Sequence, residues 1–149
     1  MDVAESESWV IETDALNTLI TALRERGYTV YGPVVRDHAI VCDEIRELRD
    51  LPVGYADAQS PGRYRLTRRG DNAVFAYVVG PHSWKRLLFP PVQRLVRITR
   101  NGQAMHAETA EPPRERYALF GARPCELAAI AVQDKVFLDG EFIDPHYKA

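Results

Sequence analysis

A chain of 149 residues, 46% of them hydrophobic and 27% charged, has the make-up of one soluble globular domain and is long enough to bury a core without disulfide or metal support. Its two cysteines, Cys42 and Cys125, stand 83 positions apart, which excludes a disulfide framework, a local four-ligand zinc site and a self-contained iron–sulfur cluster. The net charge of −2 hides an asymmetry: residues 1–60 hold 12 acidic and 5 basic side chains, residues 61–100 hold 1 and 9, and residues 101–149 hold 8 and 5.

The leader Met1-Asp2-Val3-Ala4-Glu5-Ser6-Glu7 is acidic where a secretory signal is basic, and no apolar run reaches membrane-spanning length. A cytoplasmic protein is expected. Leu16, Leu19, Ile20 and Leu23 then fall at helical spacing, with Thr13-Asp14 before them as caps and Gly27 after them as a stop. Tyr28 to Val35, broken by Gly32-Pro33, and Ala39 to Ile45 read as two strands around Arg36-Asp37. Leu51-Pro52-Val53-Gly54 and Gln59-Ser60-Pro61-Gly62 read as irregular connection. Arg63 to Thr67 and Ala73 to Val79 predict a hairpin, and Val92 to Thr99 with Gln103 to Glu108 a second one around Asn101-Gly102. Between the hairpins Ser83 is placed to cap a short helix that Pro90-Pro91 stops. Glu111-Pro112-Pro113 reads as loop, Tyr117 to Phe120 as a buried strand, and Pro124 onward as a helix burying Leu127, Ile130 and Ala131. The fold class expected is α+β (mixed α/β), a largely antiparallel sheet with two or three helices in a single domain over 1–149.

Chemistry concentrates in Phe120-Gly121-Ala122-Arg123-Pro124-Cys125-Glu126. Free N–H groups in the first turn of a helix favour negative charge, so Cys125 is suited to be a thiolate or a cluster ligand there, with Arg123 adding to the field. The other reading is a small packed side chain. Cys42 has no activating neighbour and reads as core, and His38 four residues before it lacks a second ligand pair for zinc. His82, His106 and His146 are isolated, and a distant partnership with Cys125 stays open. The stretch Gly80 to Pro91 groups Trp84, Lys85, Arg86 and Phe89 with three prolines. It reads either as a partner anchor or as a helix whose Trp84 and Phe89 enter the core. The basic block Arg63 to Arg100 is likewise either a solvated face paired with flanking acids or a surface for an anionic partner. Phosphate-binding glycine signatures are missing, and an overall pI near 6.1 disfavours nucleic acid.

Three strings together carry a resemblance: Leu51 to Leu66, then Gly80 to Pro91 with its Ser83-Trp84-Lys85-Arg86-Leu87-Leu88-Phe89-Pro90-Pro91, then Leu119 to Gly140. They resemble the N-terminal half of 4Fe-4S electron-transfer subunits, the family found in cytoplasmic nickel–iron sulfhydrogenases as the beta chain and in anaerobic sulfite reductase as its iron–sulfur electron-transfer component. The similarity covers roughly residues 14–147.

The resemblance implies a scaffold that docks the other subunits of a redox complex, one of them linked to flavin or nicotinamide and one catalytic, with no membrane partner. It implies no catalysis by this chain alone. The cysteine-rich, ferredoxin-like half of the family is missing after Ala149, so no cluster is expected in the isolated chain. Apolar surface is expected near Asp144 to Ala149 if that half was removed. Cys125 is the one cysteine with a family counterpart, a single 4Fe-4S ligand, with Gly121, Arg123 and Pro124 as cluster environment and Trp84, Lys85, Arg86 and Phe89 as docking residues. Two rivals remain: an interaction or regulatory module using the basic block, and a small enzyme with Cys125 as nucleophile.

Overall fold

The computed structural model describes residues 9–80, 83–112 and 115–149. The acidic leader, His82 and Pro113 lie outside the described residues. Among these there are four helices and seven strands, a mixed α+β arrangement in three small sheets.

Helix α1 (Ala15–Glu25) forms as expected, with Ile20 fully buried and Leu16 and Leu23 half-buried, but Leu19, expected on the same face, is exposed. Asp14 sits at its start but makes no side-chain cap; Asn17 instead accepts the backbone N–H of Leu48 at 3.0 Å and ties the helix to the turn Leu48–Asp50. Strands β1 (Tyr28–Arg36) and β2 (Ala39–Glu44) pair antiparallel around Asp37-His38, both at positive φ, one residue beyond the expected turn. Strand β1 runs unbroken through Gly32-Pro33. Proline is tolerated there because pairing on the other side of β1 extends only from Tyr28 to Tyr31, so Pro33 owes no N–H to a neighbour.

That neighbour is the strand Arg116–Leu119, parallel to β1 and 88 positions distant in sequence at the Tyr28 and Arg116 pair. It completes a sheet with β1 in the middle. Ile20, Val30, Val34, Val41, Ile45, Leu51 and Phe120 form the core between α1 and this sheet. The alternation of a strand turns Ile40 and Cys42 to the opposite face from Val41, and both are buried too.

The largest departure from expectation is the next hairpin. Strand β3 (Tyr55–Ser60), read from sequence as connection, pairs with β4 (Arg63–Arg68) around Pro61-Gly62. Proline fixes its own φ and Gly62 adopts φ +70°, the combination a type II turn requires. Residues 73–79, the expected partner of β4, form no strand. Val78 there donates its N–H to Asp57, and Gly80 donates to Ile40, so the segment crosses the exposed edge of other elements without joining a ladder.

Helix α2 (Lys85–Leu88) starts at Trp84 without a side-chain cap from Ser83. Strands β5 (Val96–Asn101) and β6 (Ala104–Thr109) form the expected second hairpin, its two-residue loop being Gly102-Gln103 with positive φ at Gly102 alone. The parallel strand Arg116–Leu119 is β7, and it leads into α3 (Pro124–Phe137). A one-turn helix α4 (Pro145–Lys148), not expected from sequence, is capped by Asp144, which accepts from the N–H groups of His146 and Tyr147. Among the described residues no helix is long and apolar enough to cross a membrane.

Candidate functional site

Between β7 and α3 the chain must turn sharply. Phe120 extends the parallel ladder by donating to the Tyr31 carbonyl, and Gly121 then adopts φ +76°. A Cβ at Gly121 would stand 3.0 Å from the Phe75 ring and 3.6 Å from Pro33, so the turn needs glycine for both shape and space. Arg123 is extended, Pro124 opens the helix, and Glu126 accepts the Arg123 backbone N–H at 2.8 Å. An arginine side chain has no acceptor to return that bond. Its guanidinium instead donates to the Tyr77 carbonyl and clamps the start of α3 to the 73–80 segment.

Cys125 is exposed in this first turn, as the sequence placed it, and follows Arg123 at the N-cap and Pro124 at the first helical position. Cys42 is 2% exposed, and burial, reinforced by Glu126, pushes its thiol up to about 11. It is neutral at physiological pH. Burial also raises the phenol of Tyr77, whose hydroxyl finds no partner among the described residues.

The expected docking residues separate. Trp84 is 2% exposed and belongs to the interior, so it anchors α2 and presents no surface to a partner. Lys85 and Arg86 are exposed, and Phe89 is 37% exposed and stacks on Phe137 at 4.9 Å between centroids.

Helix α3 faces differently from the expected orientation. Ile130 and Phe137 turn inward with Glu126, Gln133 and Asp134, while Leu127, Ala131, Val132 and Val136 lie exposed. The helix is apolar round most of its circumference, so its period alone selects no face. Its roll is set by the Glu126 cap, by Tyr147 donating to Asp134 at 2.7 Å, and by the stacking of Phe137 against Phe89 and Tyr147.

A 4Fe-4S centre takes four cysteine thiolates, whereas one of the two cysteines here is buried and the other exposed. Among the described residues no group of three or more His, Cys, Asp or Glu side chains is gathered for a metal. Among the same residues neither His106 nor His146 hydrogen-bonds Cys125.

Sequence reasoning missed a cleft of about 960 Å³ between α2, the base of the β5–β6 hairpin, β7 and α4. Arg86, Arg94, Arg97 and Arg116 line it together with Glu108, Glu111 and Glu115, so its charge is nearly balanced. Arg116 is already engaged, stacked 4.1 Å over the Tyr28 ring and donating to the Tyr28 hydroxyl. No local string signals this cleft, because its walls come together only when β7 pairs with β1.

Within the basic block Arg69 pairs with Asp71, an acid of the block itself and not of its flanks. On one face of β3–β4, Arg63 and Arg65 stand opposite Ser60 and Ala58, and neither is in an ion pair among the described residues. No protein-family model matches this chain, and neither does any curated protein or solved structure.

Proposed function

We propose that this chain is a cytoplasmic scaffold and docking domain of a 4Fe-4S electron-transfer subunit in a hydrogenase or sulfite reductase complex, with the redox chemistry carried by associated protein. The sequence likeness of three long strings supports this reading. The observation that carries it is α3: a 14-residue helix with Leu127, Val132 and Val136 54%, 61% and 65% exposed and Cys125 exposed at its first turn. A helix apolar on most sides is normally a buried one, so its outer face is suited to be covered by a partner. Cys125 would then lie at the edge of that contact, available as a single ligand to a cluster whose other ligands the partner brings.

The test is anaerobic production of the chain alone and together with the products of neighbouring genes, followed by assay of iron, acid-labile sulfide and flavin. The chain alone is expected to be colourless, and the co-produced complex to contain iron and sulfide and to dissociate when Val132→Glu is introduced. Co-production that yields no complex, or a complex indifferent to Val132→Glu, overturns the reading. A second reading, an interaction module acting through its basic surface, is favoured by Arg63 and Arg65 standing outside the ion pairs of the described residues. It predicts binding that weakens steeply with salt and does not depend on α3.

A further inference from the structure

The leader carries Asp2, Glu5, Glu7, Glu12 and Asp14 before the first arginine of the chain, Arg24. Trp9 and Val10 are 81% and 99% exposed, so the stretch leading into α1 covers nothing among the described residues. Asp14 lines a second groove, of about 1300 Å³, together with Tyr55 and Arg68. Those two residues face each other at the open end of the β3–β4 hairpin. The chain therefore enters α1 beside the base of that hairpin.

The outer face of the same hairpin is cationic. Strand alternation sets Arg63, Arg65 and Thr67 of β4 on one side with Ser60, Ala58 and Ala56 of β3. On the other side Tyr64 and Leu66 are half-buried, Tyr64 donates to the Val78 carbonyl, and Asp57 accepts the Val78 N–H. The arginine side thus carries no carboxylate, and among the described residues neither Arg63 nor Arg65 is in an ion pair. Other arginines of the basic block are engaged or offset. Arg68 stacks on Tyr55, Arg69 pairs with Asp71, Arg97 stands opposite Glu108, Arg100 donates to the Gly102 carbonyl of its own turn, and Arg94 shares its cleft with Glu108, Glu111 and Glu115.

Spacing and reach match the leader to this pair. Arg63 and Arg65 are two residues apart on a strand, about 7 Å, and Glu5 and Glu7 have the same separation in sequence. Measured from Glu12, an extended chain carries Glu7 and Glu5 up to about 17 and 24 Å. From the Arg68 end of the hairpin, Arg65 and Arg63 lie about 10 and 17 Å along β4, so each acid outreaches its arginine in the same order. A single exposed ion pair is weak, but a tether keeps both acids beside the face at an effective concentration that free carboxylates in solution do not reach.

We propose that the leader docks on the outer face of β3–β4 of its own molecule, Glu7 toward Arg65 and Glu5 toward Arg63, and covers the surface that an anionic partner would use. The covering is intramolecular and salt-sensitive; its consequence for a partner rests on the basic-surface reading given above.

Ser6→Cys in a Cys125→Ser chain takes a nitroxide at position 6 while buried Cys42 stays unreacted, and amide NMR of the isotope-enriched full chain reads the broadening that the label causes. The supporting result is an intensity loss of at least about threefold at Arg63 and Arg65 in about 0.05 M salt that disappears in about 0.5 M salt and is absent in Arg63→Glu/Arg65→Glu, whose fold circular dichroism checks. No broadening there, broadening centred on Arg94 to Arg100, or broadening that persists in the high salt each overturns the proposal. So does broadening of an enriched, unlabelled chain mixed with a labelled, unenriched one, which would mean contact with a second copy. Removal of residues 2–8 is then expected to tighten binding of a short polyglutamate peptide at least about threefold in the low salt, and an unchanged affinity overturns the covering. A shortened chain with no affinity for polyglutamate, beside intact broadening, sinks the basic-surface reading and leaves the intramolecular contact supported.

Discussion

At the scale of single residues, the two cysteines are chemically opposite because of where strand alternation and helix geometry put them. Cys42 is sealed on β2 with its thiol pushed up to about 11, and Cys125 is exposed. N-ethylmaleimide at pH 7.5 is expected to add once to the native chain and twice in denaturant, with Cys125→Ser abolishing the native adduct; mass spectrometry counts the additions. The Arg69 and Asp71 pair gives a pH-dependent contrast. Two guanidinium hydrogen bonds hold the Asp71 carboxyl at about 2, below its ordinary 3.8. A folded-state value below the unfolded one means that the stabilisation is fully present above about pH 4 and fades as the pH falls towards 2. The pair is exposed, so the readout is titration rather than stability: carboxyl NMR should give a midpoint near 2 for Asp71, rising in Arg69→Gln but staying below the ordinary 3.8 because the Ala73 N–H still donates to the carboxylate.

At the scale of elements, what was legible in the sequence was what local chemistry decides. The period of α1, the β1–β2 and β5–β6 hairpins and the Gly121-to-Pro124 entry into α3 all rest on neighbours in sequence, and all form with turns within a residue of expectation. The β3–β4 hairpin escapes a sequence reading because Pro61-Gly62 looks like a break in an irregular stretch when it is the turn itself. Tyr55 to Ser60, with alanine, aspartate and glutamine, lacks the β-branched signature of a strand, and pairing with β4 overrides that weak preference. Trp84 is equally ambiguous: its sequence neighbours fit a surface anchor, and only the 2% exposure assigns it to the interior. The entry turn of α3 is expected to be intolerant. Gly121→Ala should lower stability by about 1–2 kcal/mol from the left-handed backbone alone, with more from the 3.0 Å approach to Phe75. Chemical denaturation measures it.

At the scale of the whole molecule, the apolar residues are unevenly invested. The core around Ile20, Val30 and Ile45 draws on α1, β1 and β2, while β5, β6 and α3 have no buried residue. This was not legible from composition, which reports how many apolar side chains exist but not which of them find a partner within the chain. Stability should therefore be graded. Amide hydrogen exchange is expected to be slowest in β1 and β2 and fastest in β5–β6, where backbone bonds are exposed to solvent on both faces. Uniform protection across the sheets would contradict that gradient. By the same reasoning Val132→Glu should change stability by less than about 0.5 kcal/mol, as surface substitutions do, so any effect it has on assembly is an effect on contact.

The parallel pairing of β7 with β1 has a consequence for the order of events during synthesis. Strand β1 can join β2 as soon as residue 44 is clear of the ribosome, but its other edge has no mate until residue 119 follows. At roughly 5–20 residues per second that wait is on the order of 4–15 s. Through it the nascent chain carries an unpaired, valine-rich strand edge, and its safe passage is a matter of translation speed and chaperone attendance as much as of final stability.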